Sequence, residues 1–177
     1  MKTTKQNLIE GFETLLKTKS FDDITITDIT NYCGVARSTF YKHFTDKYDI
    51  MIYKYQTALD EIHTKQTSVN EWRENTKKGV YYLADHRDYF LKIIDYKGQN
   101  SVYDFLYKYS YQFTHRILCL NRNIKTLPDY ENEALKIYLI GTSNYLLSWL
   151  KNMHIKPEVM AELLCNCMPD LLKIYFE

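Results

Sequence analysis

The sequence predicts an all-α protein, and three observations lead to that prediction. The chain has only 5 glycines and 3 prolines in 177 residues, which is too few chain-breaking residues for a many-turned β-sandwich. Apolar residues recur at helical spacing along several segments. A helix-start pattern also lies at the N-terminus, where Thr3 is followed three residues later by Gln6, the arrangement of a capping box.

The overall composition is that of an ordinary globular protein, 45% hydrophobic and 25% charged. Because 23 Lys and Arg residues face 22 Asp and Glu residues, a uniformly basic nucleic-acid binder is excluded and any DNA-binding charge must be local. No apolar run approaches the ~18 residues of a membrane span, and the N-terminus lacks the apolar core of a signal peptide. We therefore expect a cytoplasmic protein with no membrane partner.

Two helices are predicted near the start of the chain. The first spans residues 3–18 and buries an apolar stripe that includes Phe12 and Leu16. The second begins after Thr25, whose hydroxyl is a good helix cap, and ends at Gly34, since glycine is the usual residue after a helix end.

A third helix is predicted at 37–44, directly after that glycine. Two short helices joined by a tight glycine turn are typical of a helix-turn-helix. Phe40 and Phe44 lie one turn apart and must face the interior together, so Ser38 and Lys42 point to the opposite side. A hydroxyl and a cation on that side suit contact with DNA phosphates and base edges.

A fourth helix is predicted from about Asp46 to the region of His63, with Thr45 as its cap. Lys47 lies in its first turn, where a cation beside free helix amides is well placed for a phosphate. The remaining predicted helices, which make about nine in all, span 69–86, 87–96, 100–122, 131–153 and 157–175.

The run from Gly34 to Phe44, Gly-Val-Ala-Arg-Ser-Thr-Phe-Tyr-Lys-His-Phe, together with Lys47, strongly resembles the DNA-binding module of the TetR family of bacterial transcriptional regulators. The resemblance covers about the first third of the chain at the level of motifs, and the rest matches in length and helical character only. It implies a TetR-type DNA-binding domain at 1–60, and a helical effector-binding and dimerisation domain at 61–177.

The family resemblance implies a homodimer that binds a palindromic operator in double-stranded DNA, with its helix-turn-helix core at 25–44. Ala36 departs from the family pattern, because Ser or Thr often caps the third helix there, and the change removes ~1 kcal/mol of capping. By position, the resemblance implies phosphate contacts for Thr25, Thr27, Tyr41, His43 and Lys47, while Arg37, Ser38, Thr39 and Lys42 would enter or rim the major groove.

The segment Tyr96-Lys-Gly-Gln-Asn-Ser101 also resembles, more weakly, a subgroup that includes regulators of dihydroxyacetone kinase operons. That subgroup contains an activator that works through a protein partner. From the TetR resemblance we expect a ligand-responsive repressor. The weaker resemblance gives the alternative, an activator controlled by a protein partner. A third hypothesis is a protein-interaction module whose helix-turn-helix has lost its DNA affinity.

Aromatic residues crowd the middle of the chain, and such rings suit a pocket for a flat apolar or cationic effector. The alternative is that they fill a helical core. The candidate effector-binding residues are Tyr82, Phe90, Tyr103, Tyr107 and Tyr111.

The last two predicted helices are apolar over more than one face, which is typical of helices that bury two faces. A two-fold interface between subunits explains this pattern, and so does the core of a monomer. The candidate interface residues are Leu135, Leu139, Leu146, Trp149, Leu164, Met168 and Leu171.

No catalytic site is predicted, since the sequence has no nucleophile–base pair, phosphate loop or His-Glu metal motif. Cys165 and Cys167 lie two positions apart and point about 200° from each other on a regular helix, so they cannot both bind one ion. We expect a protein that is not an enzyme and holds neither a metal nor a cofactor.

Overall fold

The computed structural model describes residues 2–62, 69–96 and 101–175. Within these ranges it contains ten α-helices and no strand, so the all-α prediction is confirmed. The helices are α1 (Thr4–Leu15), α2 (Ile26–Cys33), α3 (Arg37–Tyr41), α4 (Lys47–Ile62), α5 (Val69–Asp85), α6 (Arg87–Phe90), α7 (Val102–Arg122), α8 (Asp129–Asn152), α9 (Pro157–Asn166) and α10 (Asp170–Lys173).

The first two helices begin at reciprocal capping boxes. The hydroxyl of Thr3 accepts a hydrogen bond from the amide of Gln6, and the Gln6 side chain accepts one from the amide of Thr3. Thr25 and Asp28 form the same arrangement at the start of α2. Both boxes satisfy amides that a helix start leaves without partners.

Gly34 ends α2 in the left-handed conformation, with φ 65°. Its amide donates to the carbonyls of Asn31 and Thr30, and α3 starts only three residues later. Glycine adopts this conformation without steric cost, which confirms the predicted helix end and makes the sharp connection between α2 and α3 possible.

A close approach between α1 and α2 occurs at Gly11. A Cβ atom there would lie 2.3 Å from the sulfur of Cys33, so any larger residue at position 11 would force Cys33 to move. The two helices are also joined by paired hydrogen bonds, from Asn7 Nδ2 to the carbonyl of Cys33 at 3.2 Å and from Cys33 Sγ to the carbonyl of Asn7 at 3.3 Å.

The cap of α4 differs from the prediction. Asp46 rather than Thr45 accepts hydrogen bonds from the first amides, those of Tyr48 and Asp49, both at 2.8 Å. Thr45 instead donates its amide and its hydroxyl to the carboxylate of Asp49. A carboxylate accepts stronger hydrogen bonds than a hydroxyl does, which explains why Asp46 takes the capping position.

Two predicted helices are interrupted. The predicted helix at 87–96 ends at Phe90 and continues as turns. The predicted helix at 157–175 ends at Asn166, and α10 begins after Pro169. Proline has no amide to continue the helix and disfavours a helical residue before it, so the described residues contain ten helices rather than nine.

The chain divides into two compact units. The first contains Met1–Thr57 and Asp88–Val102, and the second contains Ala58–Arg87 and Tyr103–Glu177. The sequence places residues 88–102 in the second domain, whereas the described residues 88–96 make their contacts with the first unit; the functional boundary at 60 stays a prediction.

Contacts from the 88–96 segment to the N-terminal helices explain this assignment. Lys92 Nζ donates to the carbonyl of Leu16 at 2.7 Å, at the end of α1. The ring of Tyr96 stacks on Tyr48 with centroids 4.6 Å apart and meets Phe21 edge-on at 5.3 Å. These contacts join residues more than 45 positions apart, beyond the range of any local sequence pattern.

The predicted interface residues lie inside the second unit instead. Leu135, Leu139, Leu146, Trp149, Leu164 and Met168 are buried within the single chain, and Leu171 is partly buried against the same core. Side chains that are enclosed by their own chain offer little surface to a second subunit, and the role of these residues in a dimer stays a prediction.

Within the described residues no helix is long and apolar enough to cross a membrane. In that same part of the chain, no three His, Cys, Asp or Glu side chains form a group that could hold a metal ion.

Substitution of Gly11 by alanine is expected to destabilise the first unit by about 1–3 kcal/mol, because the added methyl group overpacks the α1–α2 contact. The second change Cys33→Ala removes the clashing sulfur and is expected to recover most of that loss. Urea unfolding of the single and double variants measures both effects.

Gly79→Ala serves as the control, since its Cβ would lie 3.7 Å from Leu59 Cδ2, an ordinary contact. That change is expected to leave stability equal or slightly raised. Equal stability of the Gly11 and Gly79 variants would contradict the close packing of α1 on α2.

Candidate nucleic-acid interface

The orientation of α3 is set by two buried phenylalanines. Phe40 is fully buried and Phe44 is 2% exposed, so their predicted inward orientation is confirmed. Their ring centroids lie 5.7 Å apart, and Phe44 meets Tyr53 of α4 edge-on at 5.6 Å. These contacts anchor the inner side of α3 and leave its other side in solvent.

The outer side of α3 carries most of the predicted DNA contacts. Arg37, Ser38, Tyr41 and Lys42 are exposed, while Thr39 and His43 are half-buried. Ala36 stands at the cap position and makes no side-chain cap hydrogen bond, as the sequence predicted. The structure therefore brings six of the predicted residues together on and beside one short helix.

The two cations of α3 have no anionic partner among the residues that the structure describes. Arg37 Nη2 donates to the hydroxyl of Tyr41 at 3.2 Å, and Lys42 takes part in none of the described ion pairs. Cations that their own chain does not neutralise are available to a phosphate.

Several carboxylates of the first unit are engaged with other groups. Asp23 pairs with the hydroxyl of Ser20, and Asp46 and Asp49 bind at the start of α4. Asp28 holds the start of α2 and contacts Lys19 at 2.9 Å. The hydrogen bond from the Thr25 hydroxyl, followed by that from Lys19, lowers the pKa of Asp28 far below its ordinary value.

Two residues at the start of α2, Thr25 and Thr27, are predicted to contact phosphate, and their surroundings differ. Thr25 is exposed, but its hydroxyl donates to Asp28 at 2.6 Å and accepts the Asp28 amide at 3.1 Å. The Thr25 hydroxyl proton is therefore engaged in the capping box. Thr27 is exposed in the first turn of α2. The phosphate contacts of both residues remain predictions.

Lys47 has a structural environment that the sequence did not predict. Its ammonium donates to the carbonyls of Phe21, Asp22 and Ile24 at 3.0, 3.0 and 3.1 Å. It also lies 4.7 Å from the centroid of the Phe21 ring. All three N–H donors are thus engaged by the loop between α1 and α2, and the predicted phosphate contact of Lys47 stays untested.

The candidate effector residues make ring contacts in different parts of the described structure, and their role in effector binding stays a prediction. Tyr103, Tyr107 and Tyr111 form a ladder along α7 with successive centroids 6.3 Å apart. Tyr82 stacks on the ring of His86, just beyond the end of α5, with centroids 4.1 Å apart. Phe90 is buried in the first unit against Tyr55. Local ring stacking thus accounts for much of the aromatic pattern.

A surface pocket of about 370 Å³ lies in the second unit, and the sequence did not predict it. Its position could have been found from helical spacing, because most of its lining shares one face of α5. The lining has charges of both signs and consists of Ile62, Glu74, Lys77, Lys78, Tyr81, Tyr82 and Asp85.

Known families match both parts of the chain. Residues 8–53 match the model described as "Bacterial regulatory proteins, tetR family". Residues 70–170 match the model described as "Transcriptional regulator C-terminal region", of the TetR type. Together these matches cover the helix-turn-helix and most of the second unit.

One curated relative is the HTH-type dhaKLM operon transcriptional activator DhaS of Lactococcus lactis subsp. lactis (strain IL1403). It is 19% identical over 90 residues, which are 51% of this chain and 48% of the relative. The match thus spans about half of that relative's length.

Solved structures share the fold. The dihydroxyacetone kinase operon activator DhaS has a TM-score of 0.66 at 14% identity, with 98% of each chain covered. NalD, the secondary repressor of the MexAB-OprM multidrug efflux pump in Pseudomonas aeruginosa, has a TM-score of 0.57 at 16% identity, with 93% of this chain and 94% of NalD covered. At these identities the likeness establishes the fold alone.

The segment of this chain that resembles the dihydroxyacetone kinase subgroup lies largely outside the described residues, since 97–100 are among those not described.

Lys47 and Lys42 form a matched pair for separating structure from surface charge. Lys47→Met is expected to lower the free energy of unfolding by roughly 2 kcal/mol, because three carbonyls lose a charged donor. Lys42→Met is expected to change it by less than about 0.5 kcal/mol, as is usual for an exposed site.

Thermal and urea unfolding of the two variants measure this difference. Equal stability in both variants would show that the contacts of Lys47 with the three carbonyls contribute nothing to the fold.

Proposed function

The chain belongs to the TetR family of transcriptional regulators, and we propose that it acts as a homodimer on a palindromic operator in double-stranded DNA. The observation that carries the DNA interface is the pair of unneutralised cations, Arg37 and Lys42, on the solvent side of α3. The helix that bears them is held rigidly by Phe40 and Phe44.

The charge distribution supports this proposal despite the overall charge of +1. Asp28 and Asp46 are engaged at helix starts, and Asp28 also pairs with Lys19, whereas Arg37 and Lys42 take part in none of the described ion pairs. A small number of phosphate contacts made by such cations gives an affinity that falls with salt concentration.

The DNA of a bacterial cell is the expected site of action, so we propose that the protein acts in the cytoplasm.

A dimer supplies a second α3 helix, which binds the second half-site of the operator. Two α3 helices related by a two-fold axis reach successive major grooves when they are ~34–36 Å apart. The surface proposed for dimerisation is the exposed apolar face of α8, which carries Ile137 (72% exposed), Ile140 (45%) and Tyr145 (48%). On that side a Cβ at Gly141 would meet nothing within 4 Å, which leaves room for a second helix to approach closely.

The proposed interface also includes Val159 and Leu163 of α9, which are 43% and 42% exposed. Large exposed apolar side chains on adjacent helices are typical of an interaction surface. These residues replace the buried leucines as the proposed interface.

For regulation, we propose a ligand-responsive repressor. A small molecule that binds one dimer geometry better than the DNA-bound geometry releases the operator. A tenfold loss of DNA affinity requires only ~1.4 kcal/mol of differential binding. The pocket beside Tyr82 is the described site best placed to receive a polar effector, and no catalytic role or cofactor is proposed.

An activator controlled by a protein partner is the second candidate. The observation that favours it is the likeness to activators named DhaS in both the sequence and the structure comparisons. Transcription from the bound promoter, measured with and without the protein, distinguishes an activator from a repressor.

Lys42→Ala is expected to weaken binding to the selected operator about uniformly across sequences and to reduce the salt slope by about 1, because one phosphate contact is lost. The operator is first selected from random DNA with the purified wild-type protein, and binding is then measured at several salt concentrations.

Lys136→Ala, in the second unit, is the matched control, since Lys136 pairs with Glu133 at 2.7 Å. The same salt slope for the wild-type protein and the Lys42 variant would argue against α3 as the DNA interface.

Ile137→Glu is expected to dissociate the dimer, because it places a charge in an apolar interface. Light scattering after size-exclusion chromatography measures the mass of the particle. Leu120→Glu is the control, since Leu120 is similarly exposed, at 67%, but lies on α7. A wild-type protein that is already monomeric, or an Ile137 variant that stays dimeric, would rule out this interface.

A further inference from the structure

Arg37 and Tyr41 form a contact on the outer side of α3 that phosphate binding alone does not require. They lie four residues apart, and Arg37 Nη2 donates to Tyr41 Oη at 3.2 Å. The Arg37 Cζ atom is 5.7 Å from the centroid of the Tyr41 ring, within the range of a cation–π interaction. The guanidinium is therefore held along the helix by the hydroxyl and the ring together.

Most of the guanidinium remains available to a ligand. Arg37 is exposed and Tyr41 is 48% exposed, and within the described residues no carboxylate pairs with Arg37. A guanidinium has five N–H donors in a planar fork, and Tyr41 engages one of them. The free part of the fork can donate to two acceptors that lie side by side.

In the major groove, guanine presents such a pair of acceptors, O6 and N7, and an arginine fork matches them in a bidentate contact. Adenine presents a donor in place of O6. A guanidinium that is held in one direction before binding loses less conformational freedom when it meets the base.

We propose that Arg37 recognises a guanine in each operator half-site and that Tyr41 is the positioning residue that orients its guanidinium. This inference rests on the proposed DNA-binding function and adds the base that is recognised. Because Tyr41 Oη accepts from Arg37, its own proton stays free to donate to a phosphate oxygen. One tyrosine thus links a backbone contact to a base contact.

The first experiment replaces each guanine of the selected operator with 7-deazaguanine, which lacks N7 but keeps Watson–Crick pairing. At the contacted guanine the wild-type protein is expected to bind about tenfold more weakly. Inosine at the same position keeps O6 and N7 and is expected to bind as guanine does. Arg37→Ala is expected to make binding insensitive to 7-deazaguanine there.

The second experiment tests the positioning role with Tyr41→Phe, which keeps the ring and removes the hydroxyl. We expect the preference for guanine over adenine at that position to fall about threefold, and no further loss of preference in the Arg37→Ala background. Tyr130→Phe, at a tyrosine that is 78% exposed on α8, is the control and should change nothing.

Two results would overturn the inference. If 7-deazaguanine has no effect at any position, Arg37 does not recognise a guanine. If Tyr41→Phe weakens all operators equally, in both the wild-type and the Arg37→Ala backgrounds, Tyr41 contacts phosphate only. Selection that recovers no specific DNA would instead refute the proposed function itself, so the two failures are distinguishable.

Discussion

The burial of Phe40 and Phe44 is the constraint on which the DNA-binding surface depends. α3 has only five residues, Arg37–Tyr41, and a helix that short is not stable by itself. The burial of Phe40, together with that of Phe44 three residues beyond the helix end against Tyr53, therefore stabilises the helix and fixes its rotation. Once that rotation is fixed, Arg37 and Lys42 can only point outward.

A second constraint acts on the loop between α1 and α2. The carbonyls of Phe21, Asp22 and Ile24 lie in this loop, outside any helix, and all three accept hydrogen bonds from the ammonium of Lys47. Since Lys47 begins α4, this one cation ties the fourth helix to the residues that precede α2. Lys47 thus has a structural role beside the helix-turn-helix, which its place in the sequence motif does not reveal.

Local patterns were enough to predict much of the first unit. The capping boxes at Thr3 and Thr25, the helix end at Gly34 and the inward side of α3 each depend on residues within a few positions of one another. The partners of Lys47 lie 23 to 26 residues away, and Tyr96 packs on Phe21 across a still longer separation. No periodicity or motif encodes such contacts, so the packing of 88–96 with the first unit could not be predicted.

The apolar pattern of α8 illustrates a different limit of sequence analysis. An apolar pattern on two faces is typical of a helix that buries both, but the pattern does not show which face is enclosed by its own chain. In the structure the leucines at 135 and 139 lie inside, and the face with Ile137 is left exposed. The hydrophobic effect treats both faces alike, so only the packing of the other helices decides between them. That packing leaves Ile137, Ile140 and Tyr145 exposed, which is why the proposed dimer interface is assigned to this face.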